Sequence, residues 1–308
     1  MKPAASNLVD VPCNLCGGED AVVIFPATDK LNCTLDTFAC TSPGHGEHYR
    51  VVRCTQCGLR FSSPRPDAAA LQAEYEQVAD PLYERELGGR LTTFRRNLEL
   101  VETFCKTGTI LDIGTGMGAF LYLAKLNGWN VNGIEPSRWS AKKAEELYGL
   151  KINSGSYGLA PDFHAQLDVV TMWDVIEHVS DPLEALQVCN HVLKPGGTLV
   201  LSTVDAGSAY ARLLGKYWPW LMKMHLYYFD RCTMTEYLRK AGFQLLQIRT
   251  YSHTMSGHYL AYKLRAIGGF WGRAGAYLLG MQILSGRYLT FALGDFMEVV
   301  AQKPNKIQ

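Results

Sequence analysis

The sequence lacks a charge excess, a membrane-spanning run and an even set of cysteines. Thirty Lys and Arg stand against 29 Asp and Glu, a formal net charge of +1, so no overall polycation points to nucleic acid as a partner. No stretch of about eighteen residues is apolar and uncharged enough to span a bilayer as a helix. The first twelve residues hold no apolar run, so no signal peptide is expected and the expected compartment is the cytoplasm. The nine cysteines are an odd number, and their partial grouping in Cys-x-x-Cys pairs favours metal binding over a disulfide framework. What is present is ordinary for a globular chain: 47% hydrophobic and 19% charged residues over 308 positions, enough for one large domain or two small ones around a substantial core.

Two cysteine knuckles open the chain. Cys13-Asn14-Leu15-Cys16-Gly17-Gly18 and Cys54-Thr55-Gln56-Cys57-Gly58 each offer a thiolate pair followed by glycine, and two such pairs complete a tetrahedral Cys₄ site for structural zinc. The excursion between them carries Cys33, Cys40, His45 and His48, read as loop residues because the knuckles already fill a closed site. A redox reading would need a thioredoxin-like context, which is absent. Residues 1–66 are expected to be the zinc ribbon, closed by the extended Phe61–Pro66. Residues 67–104 are expected to be helical, capped by Asp67 and divided by Gly88-Gly89.

The stretch Ile110–Ser137 reads as strand, glycine turn, helix and second strand. Ile110, Leu111 and Ile113 form the first strand, Gly114, Gly116 and Gly118 follow, and Phe120 to Leu126 repeat at helical spacing. The second strand ends at Glu135-Pro136. This βαβ unit carries a ligand mouth at the carboxyl ends of its strands. Gly114, Gly116 and Ala119 satisfy the loose dinucleotide pattern, so a nicotinamide cofactor stays open at this point. Asp112 before the glycines gives an acid-x-Gly-x-Gly-x-Gly run that resembles the first motif of class I S-adenosylmethionine-dependent methyltransferases. That resemblance implies that Asp112, Gly114, Thr115, Gly116 and Gly118 surround the methionine part of the cofactor, and that Glu135 accepts hydrogen bonds from both ribose hydroxyls.

The second half decides between the two cofactors. A strand, Leu167–Trp173, runs into Asp174-Val175-Ile176-Glu177-His178, followed by a helix, Lys194-Pro195-Gly196-Gly197 and the strand Thr198–Thr203. This order resembles the second half of a class I methyltransferase and favours S-adenosylmethionine. By position in that family, Ser156 lies where adenine is contacted, Trp173 and Asp174 line the cofactor mouth, and the leading helices lie across it; Tyr75 and Tyr83 on them are read as packing tyrosines, with contact to the site as the alternative. His178 is the expected base, oriented by Glu177. The Asp174, Glu177, His178 set also resembles the acid-x-x-Glu-His loop of ubiquinone-pathway O-methyltransferases, for which the resemblance implies a divalent cation. In a third reading His178 caps its loop. The aromatic cluster Trp218–Phe229 lies where the family builds its acceptor pocket, which makes His225 and Tyr228 a second pair of candidates.

Strands are expected over Gly242–Tyr251 and Asp295–Lys303, separated by an insertion from Ser252 to Gly294 that contains Lys263, Arg265, Arg273 and Arg287 but no acid. Such an amphipathic basic segment suits a substrate lid or, through residues 263–291, peripheral contact with an anionic membrane. The expected whole is an α/β chain: zinc ribbon, helical cap, and over 105–308 a Rossmann-like seven-stranded methyltransferase sheet with a C-terminal helical insertion. The Cys₄ ribbon ahead of it resembles the arrangement in deoxysugar C-methyltransferases. Methyl transfer to the oxygen or carbon of a small-molecule or glycan acceptor is the expected activity. An RNA-modifying enzyme using the ribbon, and an inactive scaffold, are the alternatives; Arg50, Arg53, Arg60 and Arg65 are offset by acids and form no aromatic-basic stripe.

Overall fold

The computed structural model describes residues 8–28, 39, 41, 44–163, 166–267, 277 and 287–305. Its centre is a seven-stranded sheet. In chain order its strands are β1 (Thr109–Ile113), β2 (Asn130–Glu135), β3 (Asn153–Ser154), β4 (Leu167–Trp173), β5 (Leu193–Val204), β6 (Gln244–Thr250) and β7 (Phe296–Gln302). Their spatial order is β6-β7-β5-β4-β1-β2-β3. Strands β1 to β5 pair in parallel, while β7 runs antiparallel between β5 and β6.

Alternate residues of each central strand feed opposite faces, as the two-residue strand period requires. Leu111, Val170, Leu199, Leu201 and Val299 pack into one core cluster, and Ile110, Val169, Val200 and Val300 into the other. The first cluster also contains Cys13, Leu15, Leu59 and Phe61. The ribbon therefore shares its core with the sheet.

The ribbon's own sheet contains Ala21–Phe25, Val51–Cys54 and Arg60–Ser62, extended by the distant strand Tyr227–Tyr228. Arg65–Pro66, expected as a linker, pairs instead with Leu8–Val9. The helical region is three helices, Ala68–Glu76, Pro81–Arg85 and Leu87–Phe104. Asp67 caps the first through the Ala70 amide at 2.8 Å. Gly88 and Gly89 do not divide helices. They lie in the first turn of Leu87–Phe104, and a Cβ at Gly89 would stand 2.8 Å from the Thr254 carbonyl oxygen. Close approach of another chain segment, not a break, requires glycine there. The helix Arg231–Lys240 is capped by Asp230, and Thr233 completes a capping box.

The described part of the insertion is a hairpin, His253–Ser256 with Tyr288–Phe291, and a helix, Gly257–Ile267. The hairpin is fastened to the helix Leu87–Phe104: Arg96 donates to the Ser252 carbonyl and the Thr254 hydroxyl, and Thr93 accepts from the Thr254 amide. Phe270, Trp271, Arg273, Leu278, Leu279, Met281, Ile283 and Leu284, and likewise Cys33 and Cys40, lie outside the described residues. No described helix is long and apolar enough to cross a membrane.

Candidate active site

A cavity of about 540 Å³ opens above the carboxyl ends of β1, β2 and β4. Its first end is local. Gly114 adopts φ +74°, and a Cβ there would meet the Val175 side chain at 2.5 Å; only glycine lets the turn pass so close beneath the β4 loop. The turn leads into the helix Ala119–Leu126, whose free amides carry partial positive charge. Glu135, at the end of β2, accepts from the Gly116 amide at 2.8 Å through Oε2 and from the Ser137 amide at 2.9 Å through Oε1. Each oxygen keeps a second lone pair. Burial pushes the Glu135 carboxyl up to about 7. Asp112, beneath the turn, is likewise raised to about 7 by burial, against the bond from the Thr171 hydroxyl at 2.7 Å.

The second end is assembled from distant segments. His178 directs Nδ1 to the Met224 carbonyl oxygen at 2.9 Å, and the Tyr75 hydroxyl lies 3.1 Å from the same nitrogen. A carbonyl only accepts, so Nδ1 carries the hydrogen and Nε2 the lone pair. His225 does the same with the Trp220 carbonyl at 2.8 Å. Burial lowers the affinity of both rings for a second proton, and for His225 the neighbouring His178 adds to the effect. Glu177 takes a bond from the Thr203 hydroxyl at 2.9 Å and leaves Oε1 buried without a partner. Candidate ligand atoms of Glu177, His178 and His225 all lie within 4.8 Å of one another, a set of oxygen and imidazole donors able to hold a divalent cation.

Between the two ends stands Asp174, in the left-handed region at φ +55°. Its amide bonds Ser202, whose hydroxyl returns a bond to Oδ1 at 2.6 Å, while Oδ2 lies 3.2 Å from Nε2 of His253. Burial works against its charge, but the bond and charge of His253, the Ser202 hydroxyl and Arg90 hold the carboxyl at about 2. At the ribbon, the thiols of Cys13, Cys16, Cys54 and Cys57 converge, with Sγ···Sγ distances of 3.4 Å for Cys13–Cys57 and 3.5 Å for Cys16–Cys54. A tetrahedron with Zn–S bonds of about 2.3 Å has edges of about 3.8 Å, so the four donors fit one zinc ion.

A family model described as a methyltransferase domain matches residues 83–248, more than half of the chain. The chain belongs to this family. Among curated relatives, a ubiquinone biosynthesis O-methyltransferase of Leptothrix cholodnii is 34% identical over 104 residues, 31% of this chain and 44% of that protein. One from Actinobacillus pleuropneumoniae is 38% identical over 108 residues, covering 31% and 45%. The chain thus spans under half the length of these relatives. A solved S-adenosylmethionine-dependent methyltransferase of Archaeoglobus fulgidus is 18% identical, with a TM-score of 0.50 over 73% of this chain and all of that one. The fold is that of the class I methyltransferases.

Within this methyltransferase fold, Asp112, Gly114, Thr115, Gly116, Glu135, Ser156, Trp173 and Asp174 line the cavity, as do Glu177, His178, His225, Tyr75 and Tyr83. Three expectations need correction. Gly118 is not a lining residue: a Cβ there would meet Leu150 at 2.9 Å and Ala144 at 3.1 Å, so it seats helix on helix. Tyr228 turns into the ribbon side, buried, with its hydroxyl on the Met222 carbonyl. Glu177 does not orient His178; the Met224 carbonyl does. Lys263, in the segment expected to be a substrate lid or a membrane contact, is buried against Tyr259 and lines the cavity, because the helix Gly257–Ile267 turns that face inward. His253 went unnamed in the sequence. Nothing local marks it; only the packing of the hairpin on the helix Leu87–Phe104, which brings it to Asp174, does.

Proposed function

We propose that the protein transfers a methyl group from S-adenosylmethionine to a hydroxyl of a small molecule with an aromatic or apolar body. The observation that carries this reading is the contrast within the cavity. Polar donors and Glu135 crowd one end, while Trp220, Met222, Met224, Tyr259 and Phe296 line the other. Glu135 would hold the ribose hydroxyls with its spare lone pairs, Gly114 and Gly116 the methionine part, and Ser156 the adenine side. When bound, the cofactor supplies an electrophilic methyl carbon, and the protein's task is mainly positioning. His178 and His225 orient the acceptor through their unprotonated Nε2 atoms. The insertion acts as a lid, supported by Tyr259 and Lys263 in the cavity wall. The O-methyltransferase names of the curated relatives agree with an oxygen acceptor. The four thiols hold structural zinc.

A second reading, in which Glu177, His178 and His225 hold a divalent cation that binds the acceptor oxygen, is favoured by the unpartnered Glu177 Oε1. Mn²⁺ titration followed by electron paramagnetic resonance tests it; absence of binding at millimolar Mn²⁺ rejects it. For the main reading, transfer of labelled methyl from S-adenosylmethionine is measured against catechols and phenols, nucleotide sugars, lipid-linked glycans and RNA. Methylation of phenolic hydroxyls is expected. Turnover confined to sugars or RNA would overturn the proposed acceptor class.

A further inference from the structure

We infer that His253, held by Asp174, is the group that takes the acceptor's proton. The inference rests on the reading of the protein as a hydroxyl methyltransferase. Four observations converge. First, Asp174–His253 is the one carboxylate–imidazole contact among the described ion pairs, at 3.2 Å; His178 has a carbonyl as its partner instead. A carboxylate both fixes the tautomer and stabilises the imidazolium that forms when a proton arrives, whereas a carbonyl gives much less of the second effect. Second, Asp174 accepts through Oδ2, so Nε2 of His253 is the donor and Nδ1 carries the lone pair; no bond from a described residue reaches Nδ1. Third, the ring is restrained without being sealed. It stands edge-on to Tyr251 at 4.7 Å and Phe296 at 4.6 Å, keeps 15% of its side-chain surface accessible, and lines the cavity. Fourth, Val175 packs on Gly114, so the neighbouring Asp174 sits where the donor and acceptor ends meet.

In the step that follows, the acceptor oxygen forms its bond to the methyl carbon as the carbon–sulfur bond breaks. The electron pair of that bond stays on sulfur, converting sulfonium to thioether. The hydroxyl proton passes to Nδ1 of His253, and the resulting imidazolium faces the Asp174 carboxylate. Asp174 is a positioning residue; its left-handed φ of +55° is held by three bonds with Ser202, two from its amide and one to Oδ1, and the one to His253. Among the charged and titratable groups around the ring are Asp174 on the β4 loop, Tyr251 after β6, Arg90 on the helix Leu87–Phe104, which acts through Asp174, and Arg96 of the same helix, which bonds the flanking Ser252 and Thr254.

The test compares wild type, H253A, H253Q, D174N and H178A in the full chain, with 3,4-dihydroxybenzoate as the acceptor probe and isothermal titration for S-adenosylmethionine. H253A should lose about 100-fold in kcat while binding the methyl donor within twofold of wild type, and added imidazole should restore part of the rate. The acid-side fall of the kcat/KM profile should vanish in H253A and H253Q and persist in H178A. D174N should lower kcat with little effect on KM. Retention of kcat within threefold in H253A, or a profile unchanged by its loss, overturns the inference. Should wild type leave the probe unmethylated, the acceptor proposal falls instead. Nitrogen-15 resonances of His253 then decide: hydrogen on Nε2 supports the pair, and hydrogen on Nδ1 in the neutral ring rejects it.

Discussion

The two ends of the cavity, proposed to hold the methyl donor and the acceptor, are built in opposite ways. At the donor end, Gly114, Gly116 and Glu135 come from one unbroken βαβ unit, and the bonds that shape it run between neighbours such as Gly116 and Glu135. At the acceptor end, His178 comes from the β4 loop, His225 from the segment after β5, and His253 from the insertion. Their restraints come from further away still. Ser62 of the ribbon sheet holds the His225 carbonyl at 3.2 Å across 163 residues of sequence, and Asn14, between the first two knuckle cysteines, bonds the helix cap Asp181, the Leu183 amide and the Tyr237 hydroxyl. A local site tolerates damage elsewhere, while an assembled one depends on every segment that supplies it.

The largest test of this contrast is removal of the proposed zinc site. Cys54→Ser should lower zinc content below that of wild type and unfold the ribbon, since structural zinc binding contributes on the order of 10 kcal/mol to such modules. The acceptor wall should fail with it, while β1 and β2 keep the donor site. Metal analysis with donor titration checks this; equal zinc content in wild type and variant would remove the Cys₄ assignment, and equal loss of both ends would erase the contrast. Next, Glu135→Ala should weaken donor binding by about 30- to 100-fold, the worth of one to two charge-assisted hydrogen bonds, without disturbing the acceptor end. Donor affinity unchanged in that variant would mean that the ribose is held elsewhere.

Acidity gives a finer probe. The Glu135 carboxyl is raised to about 7 by burial, whereas the same group in an unfolded chain titrates near 4.3. The folded state therefore holds the proton more tightly, and this group's contribution to stability is full below about pH 4 and lost as pH rises to 7. Donor binding runs the other way, because ribose hydroxyls need the ionised carboxylate. Its Kd should weaken by up to about tenfold per unit below pH 7, measured by titration at pH 8, 7 and 6. A flat profile would show that Glu135 is already ionised when the donor arrives. The smallest effect is expected from Asn14→Ala, which removes bonds from knuckle to helix without touching either ligand. A loss of about 1–2 kcal/mol, read as a fall of a few degrees in Tm, should come with a change in acceptor KM and none in donor Kd.

The same contrast explains what could be read from sequence. Gly114, Glu135, Asp174 and the knuckle cysteines stand out through spacing, because each lies in a motif contained within one turn or one supersecondary unit. His253 has no such signature; its meaning comes from a hairpin pressed onto Gly89 and brought to Asp174 by tertiary packing. Gly88-Gly89 misled for the same reason, since a residue chosen for contact with Thr254 looks locally like a helix break. Lys263 left lid and membrane contact both open, because periodicity marks which residues share a face but not which face turns inward.

The strand Tyr227–Tyr228, laid against Arg60–Ser62, also sets an order of events during synthesis. The ribbon's cysteines leave the ribosome early, but its sheet cannot gain that edge strand until the chain beyond β5 has been made. Contacts this distant in sequence close late and slowly. Until then the Arg60–Ser62 edge stays open to other partners, so the interval between the two halves is when the nascent chain is most exposed to mispairing.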